Sequence, residues 1–186
     1  MSNDQFKKLL DYDTIKQQFD STETQESQTN EPLTRPEGLT GSRLRSYAFA
    51  VLTRKEYSKA ELLEKLSQYA HDLDEVKELV EELSREKYQS DQRVAELVLS
   101  SQTRKGKGPQ RIKMALKNKK VDTALVQEEI KEIDWFEQAY SLKVKKYGTE
   151  VTRDPKIKAK QIRFLMYRGF EMDTILKAIT KKEDED

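Results

Sequence analysis

Eight basic residues stand between Ser100 and Lys120 with no acid among them: Arg104, Lys105, Lys107, Arg111, Lys113, Lys117, Lys119 and Lys120. Side chains of this type neutralise phosphates or carboxylates, and on phosphates they do so without reading sequence. A second set, Lys156, Lys160 and Arg163, falls on one side of a helix expected to begin at Pro155. Within the first set lies the turn Gly106-Lys107-Gly108-Pro109, read as a backbone contact or, through N–H groups at a helix N-terminus, an anion contact. The expected contact residues are therefore Arg104, Lys105, Lys107, Arg111, Lys113, Lys117, Lys120, Lys156, Lys160 and Arg163. Charge alone does not separate DNA phosphate from an acidic protein surface as the partner.

Other chemistries find little in the chain. His71 is the single histidine and adjoins Asp72, an expected helix cap, so it reads as an exposed linker residue. With no cysteine and no second histidine there is no zinc-ligand set. Proline at the start of the helix after Gly108 removes one donor, and no Ser or Thr follows to hold magnesium, so nucleotide hydrolysis is not expected. The carboxylates lie at helical surface spacing rather than as an isolated pair in an apolar setting. The sequence thus predicts a binding protein with no catalytic group and no cofactor.

Helices must position the basic sets. Asp91 reads as an N-cap, followed by Val94, Leu97 and Val98 at helical spacing. After the glycines and Pro109, Ile112 and Leu116 with Met114 and Ala115 form the apolar side of a second helix. The pattern repeats at about fifty residues: Leu66 aligns with Leu116 and Leu165, while Val76/Val80 align with Val126/Ile130 and Ile175/Ile179. Ser58 with Glu61 forms a capping box; Asp72 with Glu75 has the same spacing, and Asp122 and Asp154 are further caps. Nine helices follow, at roughly 43–54, 59–69, 73–88, 92–104, 109–119, 123–133, 135–147, 155–168 and 172–181. The expected fold is all-α, an elongated, curved array of three tandem three-helix repeats over 42–90, 91–133 and 134–181. The aromatics Trp135, Phe136, Tyr140 and Tyr147, and likewise Phe164, Tyr167 and Phe170, are assigned to packing the third repeat. Gly169 is assigned to a helix C-cap.

Composition agrees with thin helical layers. Hydrophobic residues make up 35% and charged residues 37%, which is apolar-poor for one thick core. Residues 1–41 read as a flexible polar extension, with a loose stripe at Phe6, Leu9, Leu10, Ile15 and Phe19, and 182–186 as an acidic tail. The net charge of +1 conceals segregation: residues 1–40 hold eight acids against four bases, and Asp72 to Glu86 seven against two. Lys143 to Arg168 holds nine bases against two acids. No bilayer-length apolar run and no signal peptide is read, so no membrane partner is expected, and the absence of cysteine points to a reducing cytoplasm.

The motifs also carry a resemblance. Asp91, Arg93-Val94-Ala95-Glu96, Arg104-Lys105-Gly106-Lys107-Gly108-Pro109 and Arg111-Ile112 resemble the central motif of the RecX family. Asp134-Trp135 with Lys145-Lys146-Tyr147-Gly148, and Arg163-Phe164-Leu165-Met166-Tyr167-Arg168-Gly169-Phe170, are similar to the start and centre of that family's last unit. Ser58-Lys59-Ala60-Glu61-Leu62 with Leu66 resembles its S-x-x-E-L-x-x-K-L. The likeness spans about residues 43–180; Val94 stands where Phe is usual, and Lys120-Val121 where Gly-Ile or Gly-Val is usual. It implies a non-enzymatic, monomeric regulator that binds RecA recombinase and the RecA–single-stranded-DNA filament. Such a regulator mostly inhibits recombinase, ATPase and co-protease activity in DNA repair and the SOS response, with direct contacts to single- and double-stranded DNA. From other classes, a general nucleic-acid-binding helical repeat acting without RecA and a structural adaptor between proteins both remain open.

Overall fold

The computed structural model describes residues 38–181, and the stripe at Phe6–Phe19 and the tail at 182–186 lie outside them. The regular structure among these residues is helical, apart from one isolated bridge between Leu39 and Ala70. The helices are α1 Gly41–Leu52, α2 Lys59–Ser67, α3 Leu73–Arg85, α4 Asp91–Arg104, α5 Pro109–Asn118, α6 Gln127–Glu132, α7 Trp135–Tyr147, α8 Pro155–Arg168 and α9 Met172–Thr180. A 3-10 turn over Thr123–Val126 leads into α6. The chain divides into two compact units between Gln89 and Ser90.

In the first unit, Leu44, Ala48 and Val51 of α1 meet Leu62 and Leu66 of α2 and Val76, Val80 and Leu83 of α3. Each large side chain removed from water in this way contributes about 1.5–3 kcal/mol. The fold begins earlier than Ser42. Leu39 is buried, its N–H donates to Tyr69 O at 2.7 Å, and its carbonyl accepts from His71 N at 3.1 Å. Residues 38–41 are thus part of the fold rather than of the polar extension. The capping box at Ser58 and Glu61 forms as its spacing predicts. That at Asp72 does not: Asp72 accepts from Asp74 N, and the Glu75 carboxylate accepts from Gly41 N–H. Thr40 offers α1 no side-chain cap, so a carboxylate from α3 serves that helix end. Arg45 ties the same two helices through Glu82 at 2.7 Å. Its hydrogen bond holds the Glu82 carboxyl below the usual range, and the guanidinium is raised correspondingly.

The second unit, from Ser90, holds two cores. One joins Val94, Ala95, Val98 and Leu99 of α4 to Ile112, Leu116, Val121, Val126 and Ile130. The other joins Ala139, Leu165, Phe170, Ile175, Ala178 and Ile179. Trp135 packs against both and donates its indole N–H to Ile130 O at 2.8 Å. The repeat holds residue by residue: Leu66, Leu116 and Leu165 are each fully buried, as are Val76, Val126 and Ile175.

Local details differ from the sequence expectations. Ser90, in extended backbone, caps α4 by accepting from Arg93 N, which leaves Asp91 inside the first turn, where a carboxylate still suits the helix dipole. Leu97 and Met114 are 55% and 52% exposed and lie off their helices' apolar sides. The expected helix over 123–133 is interrupted. Asp122 caps only the 3-10 turn, through Ala124 N, and the Leu125 carbonyl accepts from the Gln92 side-chain amide at 3.2 Å.

Lys143, counted among the basic residues of the third repeat, is fully buried. Its Nζ donates to Thr149 O at 2.8 Å and Glu150 O at 3.1 Å, fixing the turn at Gly148, where φ is +84°. Lys143→Met keeps the stem but leaves both carbonyls without this donor. It is expected to lower stability by about 1–3 kcal/mol in urea unfolding. An unchanged midpoint would show that water replaces the ammonium without cost.

Candidate functional site

The glycine-containing turn between α4 and α5 interlocks with the C-terminal end of α8. Gly108 N donates to Arg168 O at 2.8 Å, and Gln110 N donates to Gly169 O at 3.1 Å. Arg168 reaches back, its guanidinium donating to Lys105 O and Gly106 O at 3.1 and 3.2 Å. Arg111 Nε donates to Tyr167 O at 2.9 Å. The approach is so close that a Cβ on Gly108 would lie 2.5 Å from Gly169 O, and one on Gly169 2.7 Å from Arg111 N. Gly169 caps α8 at φ +91°, as its position predicts. In the second repeat Lys120 takes the same left-handed role, at φ +56°.

Of the two readings of the turn, backbone contact or anion contact, this geometry shows the backbone contact. Gly106 N and Lys107 N donate to Thr103 O and Gln102 O, while Gly108 N and Gln110 N donate to the α8 end. Four N–H groups that could have faced a phosphate are already held by carbonyls. Arg111 is likewise a tether across the interlock, although its side chain stays at the surface.

The remaining basic residues separate into two surfaces. Lys107, Lys160 and Arg163 line an open cleft of about 400 Å³ together with Lys146, Tyr147, Phe164, Tyr167 and Arg168. None of these eight lining residues is acidic. Lys146 Nζ stands 4.1 Å from the centre of the Phe164 ring and Arg168 Cζ 4.8 Å from it, while Tyr147 packs edge-on against Phe164 at 5.8 Å. The second surface is a wider groove along α5, lined by Lys113, Lys117 and Lys120 with Gln110, Met114 and Asp122 among others. Arg104 and Lys105 are exposed at the C-terminal end of α4, and Lys156 is exposed in the first turn of α8. These three line neither surface.

Tyr167, assigned to packing by sequence, is 74% exposed. A signal was available, because Lys160, Arg163 and Tyr167 are spaced i, i+3, i+7 and so share one helix face. Lys146 and Arg168 were also missed. Nothing local marks them, since they enter the cleft only through the packing of α7 and α8 and the interlock.

The fold defines the class: an all-α protein built from tandem three-helix units. Family models agree in detail. That for the RecX second three-helix domain matches residues 90–129, and that for the RecX third three-helix domain matches residues 132–179. The chain is 70% identical over 147 residues to the regulatory protein RecX of Acinetobacter baylyi, covering 79% of this chain and 92% of that protein. It is 36% identical over 132 residues to the regulatory protein RecX of Legionella pneumophila strain Corby, covering 70% and 88%. The crystal structure of RecX from Lactobacillus salivarius superposes with a TM-score of 0.64 over 74% of this chain and 93% of that one, at 23% identity. The chain belongs to the RecX family.

Proposed function

We propose that this protein is a non-enzymatic regulator of RecA recombinase. In this reading it binds RecA and the RecA–single-stranded-DNA filament and mostly lowers recombinase, ATPase and co-protease activity during DNA repair and the SOS response. The observation that carries the reading is the 70% identity to a regulatory protein RecX over nearly that protein's whole length. The basic cleft at α7–α8 and the basic groove along α5 support it, because a nucleoprotein filament offers phosphate and acidic side chains together. No helix among the described residues is long and apolar enough to cross a membrane. The protein acts as a monomer in the cytoplasm, and its effect requires only that it bind one filament state more tightly than another.

Three parallel titrations of the labelled protein test this. The partners are RecA without DNA, naked single-stranded DNA, and the assembled filament. The tightest binding is expected on the filament. Equal affinity for filament and naked DNA would replace this reading with that of a nucleic-acid-binding repeat protein acting without RecA.

A further inference from the structure

The exposed tyrosine of the α7–α8 cleft has no structural work that its ring performs. The contact that matters to the fold uses its backbone: Tyr167 O accepts from Arg111 Nε. The Phe164 ring, by contrast, is half-buried and faces two cations. Tyr167 is the penultimate residue of α8, whose C-terminal end the interlock holds, so its backbone is fixed before any ligand arrives. Isolated exposed aromatics are ordinary. This one shares its cleft with Lys107, Lys160 and Arg163 and with no acidic side chain.

Contact with single-stranded DNA is already implied by the family likeness; we propose that Tyr167 is the residue of this cleft that recognises unpaired strand, stacking on one base while Lys107, Lys160 and Arg163 hold neighbouring phosphates. Bases in a duplex are already stacked on one another, so an aromatic platform of this kind selects unpaired strand. Stacking on tyrosine needs only a π-face, so the contact tolerates any base. Lys160 and Tyr167 lie roughly 10 Å apart along the axis of α8, which suits a short stretch of strand running along the helix. The inference does not rest on the RecA reading, and its test contains no RecA, so either can fail without the other.

The test is fluorescence anisotropy of a labelled oligo(dT) strand with the full chain. Tyr167→Ala is expected to weaken binding about five- to hundredfold, while Tyr167→Phe, which keeps the π-face, stays close to the parent. Lys160→Gln should weaken binding and reduce the salt slope by about 0.7. An abasic strand of equal length should bind the parent about as weakly as oligo(dT) binds Tyr167→Ala. Because the ring is exposed, melting curves of parent and variants should coincide, and they establish that a loss is not unfolding. The proposal is overturned if the parent does not bind oligo(dT), if it binds the abasic strand equally, or if Tyr167→Ala binds as the parent does. It also fails if an acidic peptide displaces the strand and binds with the same dependence on Tyr167, since the cleft would then face a protein.

Discussion

Gly108→Ala is expected to lose about 3–5 kcal/mol of stability, an unusually large effect for one methyl group. The added carbon would sit 2.5 Å from Gly169 O and 2.6 Å from Phe170 N, and both are backbone atoms that no rotamer change can move aside. Relief requires separating the α4–α5 turn from the end of α8, which also breaks the Gly108–Arg168 and Gln110–Gly169 hydrogen bonds. Those bonds contribute about 1 kcal/mol each. Gly169→Ala should match or exceed this loss, because φ of +91° adds strain of about 1–3 kcal/mol to its own clash with Arg111. Gly148→Ala is the control. Its φ is +84°, but a Cβ there meets nothing within 4 Å, so only the strain of about 1–3 kcal/mol applies. Urea midpoints of the three variants decide the matter. Equal losses at Gly148 and Gly108 would show that the interlock yields easily.

Charge reversal in the cleft should have the largest functional effect. Lys107→Glu, Lys160→Glu and Arg163→Glu together replace three attractions by repulsions on a surface that lacks acids. Filament binding is expected to fall by more than about a hundredfold, and the salt slope to flatten by about 2 if each side chain neutralises one phosphate of a single strand. Stability should change little, within about 0.5 kcal/mol, at the exposed Lys160 and Arg163, and a urea curve of Lys107→Glu alone controls for the half-buried position. Arg111 is left out of the set because its guanidinium tethers α5 to Tyr167 O, so changing it would confound binding with folding. Lys113→Glu with Lys117→Glu tests the α5 groove separately. If that pair abolishes binding while the cleft variant binds as the parent does, the filament meets α5 instead.

What sequence reading reached and what it missed have distinct physical causes. Leu66, Leu116 and Leu165 were legible because burial of one helix side imposes a local period, and the repeat displays that period three times. Ser58 with Glu61 and Gly169 were legible because caps act over three or four residues. Glu75 capping α1, Arg168 holding Lys105 and Gly106, and Lys143 holding Thr149 and Glu150 were not. Glu75 and Arg168 serve partners 34 and 62 to 63 residues away that only the tertiary fold supplies. Lys143, though its partners are six and seven residues along, becomes a buried donor only when the core of the third repeat closes over it. The R-x-G-x-G-P-x-R motif shows both outcomes. Its presence was plain, but its glycines and arginine bind the α8 end rather than an anion, and of its basic residues only Lys107 lines the α7–α8 cleft. Tyr167 was misassigned for a related reason: helical spacing places it beside Lys160 and Arg163, yet an aromatic at that spacing packs inward more often than it stands clear.

RecA's single-stranded-DNA-dependent ATP hydrolysis, followed at steady state while this protein is added, bears most directly on regulation by this chain. The rate is expected to fall and level off as the protein saturates the filament, and the cleft variant should require far higher concentrations for the same fall. A rate that stays unchanged while the protein is demonstrably bound to the filament, or a protein that never binds RecA or its filament, would contradict a regulatory role.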